Sequence, residues 1–206
     1  MAPFERTGVH VGTHTAGDPR SATVKCLELI AACRLAPNDP IVCVGDIDAQ
    51  LVGGLLAAGQ RDITVLHPAA EALEALRGAL GALEREVNLL ETDVLDFQPR
   101  RRYALWHDRG LFECLPIPED RQRYVEVLQQ ALRPEGHFVI CAFGPQSPER
   151  EQSVRTVGYS ASGLAGELGR QFELAEHGLT LHPAADGGSR QFLHCRFKRH
   201  APHWPS

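Results

Sequence analysis

Pro37-Asn38-Asp39-Pro40-Ile41-Val42-Cys43-Val44-Gly45-Asp46-Ile47-Asp48 is the stretch on which the fold turns. The prolines stop the preceding segment and launch a short run that is apolar at every position. Such a run fits a strand buried on both faces in the middle of a parallel sheet. The residues just past it, Gly45 to Asp48, fall where an open parallel sheet places its ligands.

Working outward, apolar residues recur at helical spacing from Val24 to Leu35, and again from Leu51 to Ala58 with a stop at Gly59. Ile63 to Leu66 reads as a second strand. Pro68 opens a helix through Leu73, Leu76 and Leu80. Further strands fall at Val87–Leu90, Tyr103–Trp106, His137–Phe143, Phe172–Leu181 and Gln191–Lys198, with helices at Glu119–Leu132 and Ser160–Leu168. Arg133-Pro134-Glu135-Gly136 reads as a turn. Strands alternating with helices imply right-handed βαβ units. The expected fold is therefore α/β: a doubly wound, mostly parallel seven-stranded sheet with helices on both faces, its last two strands pairing antiparallel.

The 206 residues fit one domain, divided into an N-terminal arm (1–22), a core (23–199) and a tail (200–206). A hydrophobic content of 43% suffices for a core. A formal net charge of −5 argues against a general nucleic-acid binder, and Arg100-Arg101-Arg102 reads as a solvated face. No apolar run approaches the roughly 20 residues of a membrane span. The first residues do not read as a signal peptide, so the expected location is the cytoplasm. The six cysteines form no CxxC pair and read as buried small hydrophobes. His10 and His14 are spaced as a helical metal pair would be. Gly12 between them argues against a helix and no third ligand is identifiable, so no metal site is expected. No GxGxxG opens the first helix and no GxSxG is present, which disfavours a dinucleotide dehydrogenase and an α/β hydrolase.

Tyr103-Ala104-Leu105-Trp106-His107-Asp108-Arg109-Gly110-Leu111-Phe112 resembles a segment of a bacterial class I S-adenosylmethionine-dependent methyltransferase family. So do Ala131 to Ile140 and the closing Cys195 to Arg199. The likeness runs from about Leu35 to Arg199. It implies the Rossmann-like methyltransferase fold, with S-adenosylmethionine as cofactor and a small-molecule or protein side-chain acceptor. The implied cofactor-binding positions are Gly45, Asp46, Asp48, His67, Asp93 and Val94, with Asp93 set to meet the adenine amino group.

The chain departs from the family pattern at two of these places. Only Gly45 remains of the glycine loop, with Asp46 and Ile47 following, and His67 stands where the family has the carboxylate that holds both ribose hydroxyls. A β-branched Ile47 resists positive φ, and one imidazole cannot supply two acceptors. Asp46 or Asp48 could replace the lost carboxylate from a neighbouring position.

His107, Asp108 and Arg109 form the best chemical cluster, with Asp108 orienting or deprotonating the acceptor and His107 as a base. The plainer reading is that Asp108 and Arg109 pair with each other or cap the next turn. Two functions follow. One is a methyltransferase. The other is a pseudoenzyme of the same fold, without cofactor, serving as a binding module or partner subunit, with oligomeric state open.

Overall fold

The protein is described from a computed structural model over residues 19–147, 150–151, 154–183 and 188–201. Helix α1 (Pro19–Ala31) precedes strand β1 (Ile41–Gly45), in which Ile41 to Val44 are all fully buried. Helix α2 (Ala49–Ala57), strand β2 (Ile63–His67), helix α3 (Ala70–Leu80) and strand β3 (Val87–Glu91) follow. Strand β4 (Tyr103–Arg109), helix α4 (Pro118–Ala131) and strand β5 (Leu132–Phe143) complete the parallel part. After it come short β6 (Arg150–Glu151) and β7 (Val154–Arg155), helix α5 (Ala161–Leu168), and the long strands β8 (Phe172–Pro183) and β9 (Ser189–Arg199).

Seven strands form one sheet in the order β3-β2-β1-β4-β5-β9-β8. β1 to β5 run parallel, and β9 lies antiparallel between β5 and β8. This is the doubly wound, mostly parallel sheet that the alternating pattern implies. Each face carries its own core. Val42, Val44, Trp106, Phe138, Ile140 and Phe197 pack beneath α4 and α5. Ile41, Cys43, Val65, Leu105, Val139 and Cys141 pack beneath α1, α2 and α3. The order of strands reverses between β1 and β4, which opens the crevice where such sheets bind ligands.

Boundaries differ from the sequence reading where backbone geometry intervened. α1 ends at Ala31 rather than Leu35, because the chain tightens into a turn and Arg34 takes a φ of +53°. Arg133 to Gly136 is a kink inside β5, not a loop before it, with Glu135 at φ +63° and a register shift against β4. The β6–β7 hairpin carried no periodic signal, since two paired residues per strand are too few to alternate. β4 runs three residues further than read, through His107, Asp108 and Arg109, and is buried at every position. His10 and His14 lie outside the described residues.

Candidate functional site

Gly45 ends β1 at a φ of +91°, and a Cβ there would come within 2.2 Å of the Arg109 carbonyl oxygen. Glycine is required on both counts, by conformation and by the close approach of β1 to β4. The Asp46 amide donates to that same carbonyl at 2.7 Å, and the Ile47 amide donates to Gly45 O at 3.0 Å. The loop thereby turns at Asp46 without asking Ile47 for positive φ, and the Ile47 side chain packs against the core under α1, α2 and α3. Ile47 therefore carries none of the strain that positive φ would impose on a β-branched residue. Asp48 then caps α2, accepting from the Leu51 amide at 2.7 Å.

Arg109 fastens this loop from beneath. Its Nε donates to Asp46 O, one terminal nitrogen donates to Thr23 Oγ1 at 2.9 Å, and the other donates to Asp48 Oδ2 at 2.9 Å. The Asp46 carboxylate stands 3.8 Å away. Burial works against the guanidinium charge, but Asp46 and Asp48 outweigh it and raise the Arg109 pKa above its ordinary value. Thr23 Oγ1 also reaches Asp48 Oδ2 at 3.3 Å, which ties α1 to the head of α2. Arg109 thus pairs with the loop acids and not with Asp108.

His107 and Asp108 are both fully buried, and strand alternation sends them to opposite faces of the sheet. Asp108 points towards α4. It accepts from the Leu111 amide at 3.0 Å and takes a short hydrogen bond from Tyr124 Oη, which in turn accepts from Trp106 Nε1 at 2.9 Å. Burial pushes the Asp108 carboxyl up to about 6 despite these bonds. Its observed place is that of a cap on the turn after β4. His107 faces α1. The three residues expected to converge as a catalytic cluster are therefore dispersed, because β4 continues through them instead of ending before them.

A cleft of about 490 Å³ opens beside the loop, lined by Gly45, Asp46, Asp48, His67, Glu71 and the small residues of α3. His67 Nδ1 stands 3.0 Å from the Ala69 amide and 3.3 Å from the Ala69 carbonyl oxygen; accepting from the amide, the shorter contact, puts the ring proton on Nε2. Asp93 and Val94 lie outside this cleft. Asp93 accepts from the Leu95 amide at 2.8 Å and caps the single turn Val94–Asp96, while Val94 is buried in the core beneath α4.

Thr23, Glu113 and Tyr124 were not singled out from the sequence. Glu113 is 1% exposed. Burial foremost, and then the Asp108 charge, raise its carboxyl well above the usual range. One signal was legible, since Leu111-Phe112-Glu113-Cys114-Leu115 holds a lone acid in an apolar run.

No protein-family model matches the sequence, and no curated protein does. Solved structures do match its fold. The N-methyltransferase NodS from Bradyrhizobium japonicum, in complex with S-adenosyl-L-homocysteine, superposes with a TM-score of 0.71 at 17% identity, over 87% of this chain and 86% of that one. The 1,6-didemethyltoxoflavin-N1-methyltransferase from Burkholderia thailandensis, with bound 1,6-didemethyltoxoflavin and S-adenosylhomocysteine, gives a TM-score of 0.67 at 17% identity, covering 89% of this chain and 80% of that one. A methyltransferase from Clostridium acetobutylicum gives 0.69 at 9% identity, covering 89% and 93%. The chain has the Rossmann-like fold of class I methyltransferases, and at these identities the likeness speaks to fold alone.

Proposed function

We propose that the protein is an S-adenosylmethionine-dependent methyltransferase-like protein that transfers a methyl group to a nucleophile on a small molecule or a protein side chain. The observation that carries this reading is the cleft at the carboxyl ends of β1 and β2, next to the reversal of strand order. Its volume of about 490 Å³ lies within the range of small-ligand sites. Gly45 would bring backbone close to the cofactor, His67 Nε2–H would donate to one ribose hydroxyl, and Asp46 and Asp48 would set negative charge beside the positively charged sulfonium and amine. Asp93, just beyond the cleft at the end of β3, would meet adenine from that side, while Val94 stays in the core. When bound, the cofactor supplies an activated methyl group. Direct transfer mainly requires in-line positioning, so no acid–base step is assigned to the core-buried His107 and Asp108.

The donor set fits a nucleoside with one hydrogen bond at the diol in place of a carboxylate's two. Losing such a bond costs about 1.5–3 kcal/mol, or roughly one to two orders of magnitude in affinity. Calorimetric titration with S-adenosylmethionine and S-adenosylhomocysteine is the test. Weak but saturable binding is expected, tightened by His67→Asp with Ile47→Gly and weakened by Asp93→Ala. No heat at millimolar ligand from either the wild type or the double variant would remove the cofactor from the account.

That outcome would favour a second reading, a catalytically inactive pseudoenzyme serving as a binding module or partner subunit. One observation supports it: the Arg109 guanidinium already engages the Asp46 carbonyl and the Asp48 carboxylate, groups on which cofactor recognition would draw.

No helix among the described residues is long and apolar enough to cross a membrane. A cytoplasmic location, independence from nucleic acid, and a protein partner or homo-oligomer remain expectations from the sequence.

A further inference from the structure

Beneath α1, on the face of the sheet away from α4, sulfur and imidazole groups gather from elements far apart in the chain. Cys26 comes from α1, Cys141 from β5 and His194 from β9, and all are essentially buried. One ligand-capable atom from each lies within 4.8 Å of the other two. Cys141 and His194 are direct partners across the β5–β9 ladder. His107 on β4 is fully buried on the same face, across the ladder from Cys43 of β1.

Three imidazole nitrogens of this cluster lack an oxygen or nitrogen partner. Neither ring nitrogen of His107 meets an oxygen or nitrogen partner, its polar neighbours being the Cys26 and Cys43 thiols, and Nδ1 of His194 is likewise unmatched, although all three are buried. Burying a polar group without a partner is costly, and native proteins rarely leave such groups together. His194 is also oriented. Its Nε2 stands 2.8 Å from Thr180 Oγ1, leaving Nδ1 free. An imidazole held through one nitrogen by a hydroxyl, with the other open, is how metal-ligating histidines are commonly fixed.

We propose that Cys26, Cys141 and His194 form a buried structural zinc site, with His107, which lies outside that 4.8 Å group on the same face, moving in as the fourth ligand. Two thiolates and two neutral imidazoles around Zn²⁺ make a unit of zero net charge, suited to a dry interior, and this is a standard tetrahedral ligand set. Bond lengths of about 2.0–2.3 Å put tetrahedral ligand atoms roughly 3.6 Å apart, so Cys26, Cys141 and His194 close in by at most about 1 Å on binding and His107 by more. Its structural role is to pin α1. Thr23, one turn before Cys26, is the residue through which α1 holds Arg109 and Asp48 beside the cleft. The zinc assignment does not depend on methyl transfer.

The test is metal analysis of the full chain grown with zinc and dialysed against a weak chelator. One equivalent per chain is expected in the wild type, with loss of that equivalent in Cys141→Ala and in His194→Ala. A strong chelator should lower the melting temperature of the wild type and leave that of Cys141→Ala unchanged. Since a core variant can fail to fold, wild-type chain refolded with cobalt supplies a second readout. Thiolate-to-cobalt charge transfer and tetrahedral d–d bands support the site. Zinc well below stoichiometric together with no cobalt spectrum overturns it. So does loss of two titratable thiols in denatured, metal-free protein, which would mean a Cys26–Cys141 disulfide.

Discussion

Arg109 makes directional contacts with Asp46 O, Thr23 Oγ1 and Asp48 Oδ2, which a planar fork can satisfy together and a flexible ammonium cannot. Arg109→Lys keeps the charge and loses that geometry. We expect it to cost about 2 kcal/mol, the scale of one or two charge-assisted hydrogen bonds at a site where Asp48 remains partly solvated. Urea unfolding checks this through a lowered midpoint at constant slope. An unchanged midpoint would mean that the fastening contributes nothing to stability. The same residue scale explains the dispersal of the His107–Arg109 segment: consecutive residues in a strand face opposite sides, so adjacency in sequence separates them in space.

Caps decide where several helices begin. Asp48 starts α2 and Ser160 starts α5, the latter by accepting from the Gly163 amide at 3.0 Å. Ser160 is solvent-exposed and lies away from the cleft, so its replacement isolates the cap. Ser160→Ala should destabilise the protein by about 1 kcal/mol. Differential scanning calorimetry should show a small fall in melting temperature, with ligand binding, where present, unaffected. A fall of many degrees would instead mean that α5 anchors the core through more than its cap. Among strands, β4 is the element that organises the centre. It pairs with β1 on one side and β5 on the other, and it carries both the fastening Arg109 and the buried His107.

For the molecule as a whole, buried acids set the pH dependence of stability. Glu113 has its carboxyl raised above the ordinary 4.5 by burial and by Asp108. A carboxyl whose folded pKa is raised favours the native state when protonated. Its contribution is fully present below about pH 4.5 and is lost as pH rises through the folded value. Glu113→Gln, which cannot ionise, should therefore gain stability relative to the wild type as pH increases from 4.5 towards 8. Denaturant unfolding across that range measures the difference. A gap between the two proteins that stays constant with pH would show that folding does not raise the Glu113 pKa.

The sequence by itself determined the architecture. The unbroken apolar run Ile41–Val44 marks a strand buried on both faces, and the helical repeat through Leu73, Leu76 and Leu80 marks one buried helix face; such patterns are local and readable. Gly45 was equally legible as the residue a close turn would need. The tertiary structure alone decided what the polar residues do. Whether Asp48 faces a ligand or caps α2, and whether Arg109 meets Asp108 or the loop, depends on strand ends and on contacts between distant segments. The Cys26–Cys141–His194 cluster is the clearest case. Its members come from three elements with no common spacing, and only the register of β5 against β9 and the seating of α1 place them together.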